Sequence, residues 1–178
     1  LMVLTLLILH GSSQNTDLPR HLTAEELLLL PGYQPPLYSD ALTDPPPYPV
    51  RTMAEWEELQ GIMVTWTSFQ YILSQIIDCA QEECTVYVVC SDSNTVKNYL
   101  NNREIPIENI QFILTNYNSI WIRDYGPWTI YTIPEDTLCI VDWIYNRPRP
   151  YDDLIPGVFA NLIQAPLYAT TSAPYDLI

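Results

Sequence analysis

Histidine is nearly missing from this chain: there are two, His10 and His21, and none follows them. Basic residues are scarce too, with seven Lys+Arg against 21 Asp+Glu and a formal charge of −14. A phosphate backbone is repelled by such a field, so nucleic-acid binding is not expected. Cationic small molecules and basic peptides are the partners that the field favours; the alternative is that the charge only keeps the protein in solution. Glycine is limited to five residues, and none of them builds a glycine-rich phosphate loop. The four cysteines, Cys79, Cys84, Cys90 and Cys139, include no C-x-x-C pair and lie far from both histidines, so no zinc site is expected. Cys84 and Cys90 fall on one face of a β-type run and read as core residues. A Cys79–Cys84 disulfide stays open in an exported protein. The run Leu1–Leu9 is nearly all apolar, but at nine residues it is too short to cross a bilayer.

What is present points to a folded domain. Apolar residues make up 48% of the 178 positions and charged residues 16%, the balance of a globular chain with a core of its own. Leu1–Leu9 followed by His10-Gly-Ser-Ser-Gln14 reads as a secretory signal, so residues 1–14 are expected to be one, with the start clipped by a few residues. The alternative is an ordinary buried strand or helix. A signal implies a protein that is secreted, periplasmic or at the surface of a bacterium, with no membrane association in its mature form. Residues 15–50 form a proline-rich linker, with seven prolines between positions 31 and 50. Inside it, Thr23-Ala-Glu-Glu26 is a capping box that starts a short helix through Leu30, stopped by Pro31-Gly32.

From Val50 onward the elements alternate. Strands are expected at Gly61–Trp66, Cys84–Cys90 and Ile110–Leu114, with a short fourth at Ile120–Trp121. A helical stripe covers Phe69–Glu82, and Ser91 or Asp92 caps a second helix to about Asn102. Trp128–Thr132 and Leu138–Trp143 read as an antiparallel pair turning at Pro134-Glu-Asp136. Asp153–Ile163 reads as helical and Leu167–Thr170 as a last strand. The fold class is therefore α/β. An apolar ending after an unpartnered strand reads as a domain cut short, so residues 51–178 are expected to be the N-terminal part of a larger domain.

Two blocks carry the chemistry. The first is Trp121-Ile-Arg-Asp-Tyr-Gly-Pro-Trp128, where Trp121 can stack on a guanidinium while Asp124 accepts two parallel N–H bonds from it. Alternatively, Asp124 forms a plain surface ion pair with Arg123, and Trp121 is core. Arg123 itself reads as a structural partner of nearby acids. The second block is Tyr145-Asn-Arg-Pro-Arg-Pro-Tyr-Asp-Asp153. Arg147 and Arg149, stiffened by Pro148 and Pro150, can grip a carboxylate with planar forks, or else fasten the loop to Asp142, Asp152 or Asp153. Asp152 or Asp153 can also cap the following helix.

These blocks, together with Glu55-Trp-Glu57 leading into Gly61-Ile-Met-Val-Thr-Trp66, resemble the bacterial (Porphyromonas-type) peptidylarginine deiminase and agmatine deiminase family of the pentein superfamily. The similarity runs from about Val50 to Ile178. It implies a pentein fold, an α/β propeller of five ββαβ modules, of which this chain holds roughly two. It also implies hydrolysis without a cofactor: a cysteine attacks the guanidinium carbon, a histidine moves protons, two carboxylates hold the guanidinium, and ammonia leaves. Asp124 matches the first of those carboxylates and Trp121 the pocket wall. Arg147 and Arg149 match the arginines that receive the substrate carboxylate in the peptidyl branch. The implied substrates are arginine-containing peptides or proteins, with C-terminal arginine favoured, or agmatine. None of the four cysteines and neither histidine stands where the family's catalytic pair does, so the chain alone is expected to be inactive. A non-enzymatic alternative is an exported module that captures arginine-rich peptides.

Overall fold

The computed structural model describes residues 18–36, 41–42 and 44–169; the expected signal segment, residues 1–14, lies outside them. Helix α1 (Ala24–Leu29) starts at the expected capping box: the Glu26 amide donates to Thr23 Oγ1 at 3.2 Å, and the Thr23 amide donates to Glu26 Oε2 at 2.8 Å. A 3-10 turn at Leu30–Gly32 closes it. There follow β1 (Val50–Thr52), β2 (Gly61–Thr65), α2 (Gln70–Ala80), β3 (Thr85–Cys90), α3 (Ser93–Asn101), β4 (Ile110–Leu114) and α4 (Ile122–Tyr125). The chain continues through β5 (Trp128–Thr132), β6 (Leu138–Asp142), α5 (Pro150–Asp153), α6 (Ile155–Ile163) and β7 (Leu167–Ala169).

These elements make two sheets. Strands β2, β3 and β4 form a parallel sheet with β3 in the middle, α2 and α3 being the crossovers. The second sheet has the order β1-β5-β6-β7, antiparallel until the final β6–β7 pair, which is parallel. Period-two alternation in β3 explains how they pack. Val86, Val88 and Cys90 face a core shared with Leu73 and Ile77 of α2 and Val96 and Leu100 of α3. Tyr87 and Val89 face the other way, into a core shared with Ile140 of β6, Ile155 and Phe159 of α6, and Tyr125 of α4. Strand β6 alternates likewise, with Ile140 in that second core and Cys139 and Val141 on the outer face of the second sheet.

Several expectations change. Ile120–Trp121 is not a strand, since Trp121 caps the single turn α4. The expected helix over Asp153–Ile163 starts earlier, at Pro150, and is split at Leu154 into α5 and α6. Strand β7 is not unpartnered: it lies beside β6, and Leu42 bonds to its other edge, with its amide donating to Leu167 O at 2.8 Å. Leu42 of the linker thus joins the sheet at the free edge of β7. All four cysteines are free thiols, so the Cys79–Cys84 disulfide does not form; of the pair expected in the core, Cys90 is buried there and Cys84 is half-buried.

Candidate guanidinium site

The turn that carries Asp124 is fixed from three sides. Asp152, fully buried on α5, accepts from the Asn118 amide (2.7 Å), the Ser119 amide (3.0 Å) and the Ser119 hydroxyl (2.7 Å), which pins the approach to α4. Tyr125 points into the core, donates to Ser119 O at 2.6 Å and meets the Thr65 hydroxyl at 2.8 Å. At the far end Gly126 donates to Ile122 O at 2.6 Å, and a Cβ on Gly126 would overlap that carbonyl oxygen. Pro127 keeps Gly126 extended, which ends the helix. With Tyr125 turned inward, Asp124 faces outward.

The Asp124 side chain is 26% exposed and its Oδ2 has no hydrogen bond; the cation beside it is Arg20, with Nε at 3.6 Å. Trp121 is half-buried, and its Nε1 donates to Leu18 O at 2.8 Å. Arg149 is 1% exposed. Its Nε donates to Glu26 Oε1 at 2.6 Å and its Nη2 to Glu26 Oε2 at 3.1 Å, a two-toothed grip on a carboxylate. Nη2 also reaches Pro19 O at 2.8 Å and His21 O at 3.4 Å, while Nη1 meets the Tyr145 hydroxyl at 3.5 Å. The Arg149 hydrogen bond holds the Glu26 carboxyl below its ordinary range, against the opposing effect of burial.

Trp121, Asp124 and Arg149 therefore all touch one stretch of chain, residues 18–26. Arg147 does not join them: its Nη1 donates to Asn146 Oδ1 at 3.3 Å, and its guanidinium lies 5.8 Å from the Tyr145 ring centroid. Neither arginine fastens the loop to Asp142, Asp152 or Asp153; Arg149 is held by Glu26 instead. Asp153 accepts from the Tyr145 amide at 3.2 Å. Arg123 is exposed and forms no ion pair among the described residues, so it is not the structural partner expected of it. It lines a groove of about 900 Å³ with Ile122, Gly126 and Pro127, on a side that includes neither Trp121 nor Asp124. Sequence reasoning missed Arg20 and Glu26. The capping box located Glu26 on its helix, but no local pattern pairs it with an arginine 123 positions on.

A second acidic group lies deeper. Burial pushes Asp142 up to about 8, with Asp153 adding to the shift, Asp153 to about 7 and Asp152 to about 6. Asp142 Oδ1 and Asp153 Oδ2 lack hydrogen-bond partners. Burial, with some contribution from Asp92, also pushes the Cys90 thiol up to about 11, and burial raises Cys139. Neither buried thiol is poised as a thiolate nucleophile. The groups that stand against Asp124 and Arg149 are a guanidinium, that of Arg20, and a carboxylate, that of Glu26.

Comparison with known proteins bears on the fold and the family. Residues 51–149, more than half of the chain, match the Porphyromonas-type peptidyl-arginine deiminase family. Among solved structures, the C. jejuni agmatine deiminase has 19% identity and a TM-score of 0.55 over 69% of this chain and 40% of its own. A Porphyromonas gingivalis protein assigned as an arginine deiminase has 16% identity and a TM-score of 0.58 over 68% of this chain and 40% of its own. The Enterococcus faecalis agmatine deiminase has 18% identity and a TM-score of 0.54, over 68% and 38%. The chain spans about two fifths of the length of these structures, and the likeness establishes the fold: two sheets with their helices are part of a pentein propeller. With the family match over β1 to the Arg149 loop, the chain belongs to the Porphyromonas-type peptidyl-arginine deiminase family.

Proposed function

We propose that the protein hydrolyses the guanidinium of arginine in peptides or proteins to a ureido group and ammonia, and that this chain supplies binding rather than bond-breaking. The observation that carries the reading is Asp124. Its Oδ2 is shielded from water, has no hydrogen bond, stands three residues from Trp121, and already has a guanidinium beside it. An unpaired carboxylate oxygen out of water is costly unless a cation comes to it. Export from a bacterial cell belongs to the same reading and is supported by Leu1–Leu9 alone.

Preference for a C-terminal arginine is supported by Arg149, whose fork takes a planar carboxylate, that of Glu26. Agmatine is a second reading, favoured by one observation: Glu26 neutralises Arg149, which weakens the field that would repel agmatine's ammonium.

The test is calorimetric binding of acetyl-Gly-Gly-Arg, its amide and agmatine to the chain and to Asp124→Asn. A charge-assisted hydrogen bond contributes about 1.5–3 kcal/mol, so the variant should bind the free acid roughly ten- to a hundredfold more weakly. Binding within about threefold of the native chain removes Asp124 from the site. Tighter binding of agmatine than of either peptide makes agmatine the better reading.

A further inference from the structure

The stretch Leu18–Glu26 offers the candidate site what an arginine-bearing ligand would offer it. A guanidinium, Arg20, stands 3.6 Å from Asp124. A carboxylate, Glu26, fills the fork of Arg149 at 2.6 and 3.1 Å. Beside these charges three main-chain carbonyls are taken up: Leu18 by the Trp121 indole, and Pro19 and His21 by Arg149 Nη2. We infer that residues 18–26 are a cis ligand of this site, a strap that holds the place of an arginine-bearing peptide and leaves when one binds. The inference rests on the reading of Asp124 and Arg149 given above.

The way the strap is held fits a part that can leave. No residue of α1 belongs to any of the three apolar core clusters, and Leu27, Leu28 and Leu29 are 56%, 83% and 61% exposed. A helix with three exposed leucines is not docked by apolar burial. Hydrogen bonds and charge hold it, and a ligand with the same charges can supply both. The two ends differ in strength. Arg20 is 72% exposed and loosely paired, whereas Glu26 is buried against a buried arginine. A ligand guanidinium therefore displaces Arg20 first, and its carboxylate then competes with Glu26 for Arg149. This order makes the Arg20 end the entrance. It also explains how a carboxylate can reach an arginine that is only 1% exposed.

The competing structural account is that Arg149–Glu26 is a permanent brace. Hydrogen–deuterium exchange of the whole chain separates the two, read at residues 18–30 with and without acetyl-Gly-Gly-Arg. Affinities are measured for the native chain, Arg20→Ala and Glu26→Gln. Since an occupied site lowers apparent affinity by the fraction of molecules that are open, Arg20→Ala should bind about threefold more tightly and Glu26→Gln about tenfold or more. The ligand should speed exchange at residues 18–30 in the native chain. Arg20 is exposed enough that its removal leaves folding intact, so the test survives if Glu26→Gln does not fold. Equal affinity in native chain and variants with unchanged exchange at 18–30 overturns the strap and leaves the guanidinium site standing. No binding to any of the three, free acid or amide, overturns the site and the strap together.

Discussion

The faces of the parallel sheet and the region around Asp124 solve the problem of burial in opposite ways. Strand β3 buries Val86, Val88 and Val89 with 0% exposure, and its neighbours Ile77, Val96 and Leu100 are equally hidden. These side chains are apolar and the backbone of β3 is paired in the ladder on both edges, so their burial leaves no polar group of their own unmet. The loops from 115 to 127 and from 143 to 153 bury Arg149, Asp152 and Asp153 instead. Charges in a dry place must be paired or neutralised. Asp152 is satisfied by three donors and Arg149 by Glu26, while Asp142 and Asp153 stay partly unmet. A fold that only had to be stable would fill that space with leucine. On the function proposed above, the first region is scaffold and the second is site.

The comparison is broken most directly in the scaffold. Leu100→Ala removes a fully buried side chain from the helix-facing core and should cost about 2–5 kcal/mol, read as a shift in the denaturant midpoint. Exchange at residues 18–26 should change only through the loss of global stability. A cost below about 1 kcal/mol would mean that this core is loosely packed and the contrast false.

The site region should instead be sensitive to pH. Asp142, Asp153 and Asp152 have folded values of about 8, 7 and 6, all above the ordinary carboxylate value. The folded state therefore binds more protons than the unfolded one, and stability falls as pH rises from about 4 towards 8. Glu26 has the opposite sign: its value is lowered, so its contribution is lost as pH falls through and below the usual carboxylate range. Asp142→Asn should remove part of the decline, gaining on the order of 1–3 kcal/mol at pH 8 and little at pH 5. Parallel curves for variant and native chain would show that Asp142 is not held protonated.

The scaffold was legible in the sequence and the site only in part, for a physical reason. Val-Tyr-Val-Val in β3, the Asp92 cap of α3 and the β5–β6 hairpin are local signals, and the structure has them within a residue or two. Ile120–Trp121 also looked β-like, yet it leads into the turn α4. What decides that turn is Asp152 bonding back to Asn118 and Ser119, 34 and 33 positions away, and no local propensity carries that. Strand β1 was missed because three residues after a run of prolines signal nothing until β5 pairs with them. Trp121 and Asp124 were recognisable as a type of site, whereas the contacts of Arg149 depend on where residues 18–26 lie.

The smallest expected effect falls at the cap of α1, which lies against the site and outside the scaffold. Thr23 Oγ1 accepts from the Glu26 amide and the Thr23 amide donates to the Glu26 carboxylate, so the cap fixes the rotamer in which Glu26 meets Arg149. Thr23→Ala loses the hydroxyl half of that box, worth about 0.5–2 kcal/mol to the helix. Because α1 adds nothing to the cores, the loss should stay local: the denaturant midpoint barely moves, while exchange at residues 24–30 rises severalfold. Glu26 would then spend less time on Arg149, and acetyl-Gly-Gly-Arg should bind slightly more tightly than to the native chain. A global loss equal to the local one would make α1 part of the scaffold, and the boundary between the regions would lie on the other side of Arg149.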